Sequence, residues 1–83
     1  MTDIYKNYLR DLGLLIREQA LDAHKGACSS PDDGFKLGRR MSYYAITSLM
    51  LHQAEAFGIS PNDIGLAGLD PDKDLLGSNG MDI

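Results

Sequence analysis

Residues 35–57 read FKLGRRMSYYAITSLMLHQAEAF, and the apolar content of this stretch decides the fold. On a helix turning 100° per residue, Phe35, Gly38, Ser42, Ala45, Ile46, Leu49, Ala56 and Phe57 form one stripe. Leu37, Met41, Tyr44, Ser48 and Leu51 form a second stripe on the other side. Together they take up roughly 240° of the circumference, where a surface helix needs ~100° or somewhat more. A helix of this kind requires more than one neighbour. One stripe is expected to meet another helix of the same chain, the other a second copy or the C-terminal tail.

The partner helix lies upstream. Thr2 or Asp3 offers a side-chain oxygen to the free amides of a first turn, and a helix from there to about Ala27 would be ~37 Å long. Its apolar face is Tyr5, Tyr8, Leu9, Leu12, Leu15, Ile16, Ala20 and Ala23, with Lys6, Arg10, Arg17, Glu18 and Lys25 on the polar side. Leu14 and Leu21 interrupt that polar side. Leu12, Ile16, Ala45 and Leu49 are expected to be buried between the two helices. Gly13 is an interior glycine and costs the helix ~1 kcal/mol. Gly38 is the expected point of close helix approach.

Residues 26–29 form the turn. Ser30, Pro31, Asp32 and Asp33 have the chemistry of a helix start: a capping serine, a proline at the first helical position and two acids at the positive end of the dipole. Gly58 ends the second helix in the left-handed conformation that glycine adopts cheaply. Ser60, Pro61, Asn62 and Asp63 repeat the start signal, and Asp70 followed by Pro71 gives it again. Ile64, Leu66, Leu69, Leu75 and Leu76 supply apolar anchors to this tail. The expected architecture is all-α: an antiparallel two-helix hairpin with a short helical C-terminal tail, dimerising into a four-helix bundle. Residues 1–76 form the single domain, and 77–83 are expected to be a mobile end.

The composition narrows the class of function. Eighty-three residues bury only about 60–65% of their extended surface, so the core is small unless a disulfide, a metal or a partner extends it. Cys28 is the single cysteine, which excludes an intrachain disulfide and fits a reducing compartment. The first residues lack the basic start and apolar core of a leader. No uncharged run reaches the length of a membrane span, so a cytoplasmic location is expected. The net charge of −4 is unevenly placed: residues 1–59 hold seven acids and seven bases, while Asp63, Asp70, Asp72, Asp74 and Asp82 face only Lys73 in the tail. With a pI near 4.8, the chain lacks the basic surface that nucleic-acid binding draws on.

Few residues suggest chemistry. Asp70, Asp72 and Asp74 have the spacing that opens an EF-hand loop, but Leu75 stands where the sharp turn needs glycine and Met81 where a glutamate would close the shell. That pattern is expected to be a capped, solvated turn. His24 and Cys28 are spaced four apart on one helix face, without the further ligands of a zinc site. His52 lies between the two stripes. No cofactor is expected, nor catalysis. Arg39 and Arg40 are the bases expected to receive the acidic tail. The expected function is a small non-enzymatic interaction module, a dimeric adaptor or regulator that binds another protein, whose identity the residues do not give. The alternative is a helical protein that binds a small ligand or, weakly, a divalent metal. Leu37, Met41, Tyr44 and Leu51 are the expected dimer interface, with Leu14 and Leu21 beside them.

Overall fold

The computed structural model describes residues 2–77. Two long helices, α1 (Thr2–Ser29) and α2 (Gly34–Phe57), are followed by a 3₁₀ turn (Pro61–Ile64) and a π-type turn (Pro71–Leu75). The described residues contain no strand; short irregular links join the helices and turns. The expected mobile end lies, from residue 78 onward, outside the described residues.

The helix boundaries follow from local chemistry. α1 runs two residues beyond Ala27. Ser30 does not cap α2: its amide donates to the Gly26 carbonyl, and its own carbonyl accepts from the Asp33 amide, closing the turn. The cap is Asp33, whose Oδ1 accepts from the amides of Phe35 and Lys36 at 3.0 and 3.2 Å. The carboxylate both satisfies two free donors and meets the positive end of the helix. Gly58 closes α2 at φ 70°. Ser60 and Asp70 cap the two short turns, each with proline next.

The helices lie side by side, and the tail crosses one side of the pair. The molecule measures 47 × 23 × 16 Å, and its thinnest dimension is little more than one helix of ~10–12 Å diameter. The radius of gyration is 13.8 Å, against about 12 Å for a compact chain of this length.

The core lies between this helix pair and the tail. The helices supply small residues to it: Ala20, Ala23 and Ala27 from α1, Thr47 and Ala54 from α2. The tail supplies the large ones: Ile64, Leu66, Leu69 and Leu75. Burying four such side chains contributes on the order of 6–12 kcal/mol. Thr47 is fully buried, and its hydroxyl donates to the Tyr43 carbonyl at 2.8 Å. Gly13 is where the chain approaches itself most closely. A Cβ there would run into the Ile64 carbonyl, and one on Gly65 would lie 2.6 Å from the Leu14 amide nitrogen. Gly65 also holds φ at 75°.

Three expectations are corrected here. Leu49 is 64% and Leu12 is 37% exposed, Ala45 is also exposed, and Ile16 is half-buried. The large apolar residues of the helices do not form the core, because the alanine faces pack closely enough to leave room for the tail's leucines. Gly38 has nothing within reach of a Cβ; the close approach is at Gly13. The tail docks on its own chain, but among the described residues none of its acids pairs with Arg39 or Arg40. Arg39 turns to α1, donating to Gln19 at 2.8 Å and pairing with Asp22 at 3.5 Å.

Candidate functional site

The tail side of the helix pair is closed by hydrogen bonds from both helices. Arg17 Nη1 donates to the Ala67 carbonyl at 2.6 Å. His24, buried in α1, lies with Nδ1 2.9 Å from the Leu75 carbonyl oxygen. A carbonyl only accepts, so Nδ1 carries the bridging proton. From α2, the Tyr44 hydroxyl donates to Asp72 at 2.7 Å. This bond and the adjacent negative charge raise the Tyr44 pKa above its ordinary value of 10.0. Asp70 and Asp74 are engaged by the turn itself: Asp70 accepts from the Lys73 amide and Asp74 from the Asp70 amide. The three carboxylates therefore act as caps and anchors, as the reading of a capped turn expected. The twelfth position of the EF-hand comparison lies outside the described residues.

This closure places the expected interface residues. Leu37, Tyr44 and Leu51 are half-buried within the chain, and Leu51 packs on the cluster of Ala54, Ile64, Leu66 and Leu69. Met41, Leu14 and Leu21 are exposed. Within the second stripe of α2, Tyr44 and Leu51 are thus engaged by the tail, while Met41 stays exposed.

The open surface is on the other side of the helix pair. On α1, Tyr5, Tyr8, Leu9, Leu12 and Leu15 are exposed; on α2, Ile46, Leu49 and Phe57. Helix periodicity turns Tyr8 and Leu15 of α1 and Ile46 and Leu49 of α2 away from the tail side, whereas Tyr5 and Leu9 continue the lines of Ala23 and Ala27, five turns away, and are exposed at the other end of the helix. Three of these exposed residues line a groove of about 440 Å³, in which Leu9 from α1 faces Leu49 and Phe57 from α2, with Met50, Gln53, Ala54, Ile59 and Ile64 completing it. These eight side chains expose on average a little over half their surface, and at about 200 Å² each this amounts to roughly 900 Å². Monomers rarely present an apolar patch above ~300–600 Å². Reading the sequence as stripes identified most of these residues as apolar faces but assigned them to the core. The signal that separates the two is the run of alanines Ala20, Ala23 and Ala27 beside Thr47 and Ala54, which marks where the helices touch.

Toward the interhelical loop, this open side becomes polar. A second recess of about 490 Å³ there is lined by Asp22, Lys25, Lys36 and Arg39 together with Phe35. Arg39 is neutralised by Asp22, and its guanidinium also lies over the Tyr43 ring. Neither Lys25 nor Lys36 has an ion pair among the described residues.

His24 and Cys28 do meet. The sulfur lies 3.6 Å from Nε2 and 3.9 Å from Nδ1. Distances so nearly equal put it between the nitrogens, not in line with the lone pair of either, so the aligned contact of an activated nucleophile is not formed. Among the described residues, no three His, Cys, Asp or Glu side chains converge where a metal could be held, and no helix is long and apolar enough to cross a membrane. No protein-family profile, curated protein or solved structure matches the chain significantly.

Proposed function

We propose that this chain is a small, non-enzymatic helical interaction module that works as a homodimer, a regulator or adaptor engaging another protein. The observation that supports it most is the open face: roughly 900 Å² of large apolar side chains on a molecule only one helix layer and a strap of tail thick. Domains bury apolar faces between layers, and among the described residues no layer lies over this face. A second copy supplies one, making a four-helix bundle from two hairpins. The area matches the ~800 Å² that each partner contributes to a standard interface. The interface so proposed is Leu9, Leu12, Ile46, Leu49 and Phe57, not the half-buried stripe of Leu37, Tyr44 and Leu51.

Sedimentation equilibrium at micromolar concentration tests the assembly. The expected mass is twice the chain's 9.1 kDa, falling to the single chain for Leu12→Glu with Leu49→Glu. A single-chain mass for the natural sequence across that range rules the reading out. The same groove supports the second reading, a small apolar ligand, because its lining is almost wholly carbon. Saturable binding of an apolar dye to the natural chain, undiminished at concentrations that complete the dimer, would favour that alternative.

A further inference from the structure

We infer that the second copy lies antiparallel and offset, with the apolar halves of the two open faces overlapped and the loop ends at opposite poles. This rests on the dimer proposed above and adds its geometry. The open face is not uniform along its length. Its apolar half runs from Tyr5 and Phe57 to Leu15 and Ile46, and its loop half carries Lys25 and Lys36 with the Asp22–Arg39 pair around a single exposed aromatic, Phe35. A two-fold face-to-face pair has its axis in the interface plane. With the axis along the helices, the loop ends stack, and the lysines of one copy face those of the other in a partly desolvated gap. Like charges brought together there carry both repulsion and lost hydration. With the axis across the helices at mid-length, each polar half covers the partner's apolar half, and neither is satisfied. Only an axis across the helices through the apolar half, near Leu12 and Leu49, pairs carbon with carbon and leaves the charges in water.

The arrangement fixes a distance. From Leu12 to the end of α1 at Ser29 is about 26 Å along the axis, so the two loops of an offset antiparallel dimer lie roughly 50 Å apart. Stacked loops of the parallel alternative lie within ~20 Å of each other, since packed helix layers are only one interaxial spacing of ~8–10 Å apart. Asp32 is exposed in the loop and takes a spin label as Asp32→Cys in a Cys28→Ala background. Pulsed dipolar spectroscopy of this full-length chain should then give a distance near 50 Å. A distance of ~20 Å or less overturns the geometry while leaving the dimer standing; a dimer-free sample with no dipolar signal overturns the dimer as well.

A label-free measurement guards against a variant that folds poorly. Lys25→Gln with Lys36→Gln, which removes the charge from both copies, should change the dimer Kd by less than about twofold, because ends ~50 Å apart are separated by several Debye lengths at physiological salt. A tenfold or larger tightening, lost in high salt, would mean that the loop ends meet, and the offset antiparallel arrangement would be wrong.

Discussion

The two sides of the helix pair solve the same problem with opposite residues. On the tail side, the helices offer alanine, glycine and threonine, and the large side chains come from residues 64–75. On the open side, the helices offer tyrosine, leucine, isoleucine and phenylalanine, and nothing of the described chain lies over them. Small residues on a helix let another backbone come close; large ones hold a neighbour at the distance of a second layer. The contrast shows that side-chain size, and not hydrophobicity alone, decides which face of a helix is filled from within the chain.

The largest expected effect is at the closest point of the tail side. Gly65→Ala and Gly13→Ala should each destabilise the fold by about 3 kcal/mol or more, from a methyl group forced into backbone and, at Gly65, from left-handed φ as well. Gly38→Ala is the matching control in an open stretch of α2, and should stabilise by roughly 0.5–1 kcal/mol. Urea denaturation of the three variants measures the ordering; equal losses at Gly13 and Gly38 would remove the argument for close approach.

Truncation compares the two sides directly. Leu75→Ala on the tail side should cost about 2–5 kcal/mol. Leu49→Ala on the open side should cost the isolated chain less than ~1 kcal/mol, because that side chain is mostly in water already, while weakening association. Thermal melts across a dilution series separate the two quantities. If Leu49→Ala proves as costly as Leu75→Ala at the lowest concentration, the open face is buried in the monomer and the comparison fails.

A smaller effect belongs to the polar clasp. Arg17→Met keeps the aliphatic stem but removes the bond to the Ala67 carbonyl, and should lower stability by about 1 kcal/mol. Hydrogen exchange localises it: amides of residues 69–75 should exchange faster, while those of α2 hold their rates. Uniform acceleration in both would mean that the tail and the helices open as one unit.

The smallest effect is a pH dependence. Tyr44 is held protonated by its bond to Asp72, so its folded pKa lies above the value in the unfolded chain. The stability this bond contributes is fully present below the unfolded pKa near 10 and is lost as pH rises through the folded value. Natural protein should therefore lose tail protection in strong alkali before the helices melt, and Tyr44→Phe should flatten that part of the profile. An unchanged alkaline profile in Tyr44→Phe would show that the hydroxyl does not anchor the tail.

Much of the architecture was legible in the residues. Helical periodicity, Gly58 as a stop, Ser60 and Asp70 as caps and the leucines of the tail as anchors all follow from local physics, and the structure contains them. The inward faces were not legible. Leu12 and Leu49 are the more apolar choices, yet Ala23 and Ala54 are the buried ones. Gly13 looked like a mild local weakness, and only its proximity to Ile64 and Gly65, about fifty residues away, turns it into a requirement. The candidate interface suffered the same ambiguity, since a stripe read from one helix does not say whether its own tail or another molecule will cover it.

The sequence alone determined two helices, the stop at Gly58, the capped turns after it and an excess of apolar surface, because each depends on neighbours within a few positions. The tertiary structure decided which surface the tail takes and which it leaves open. That choice depends on fit between segments distant in the chain: two glycines that admit backbone against backbone, and a line of alanines that leaves space of the right depth for four large side chains. Periodicity records that a face is apolar, but the depth of the space above it exists only once the helices are side by side.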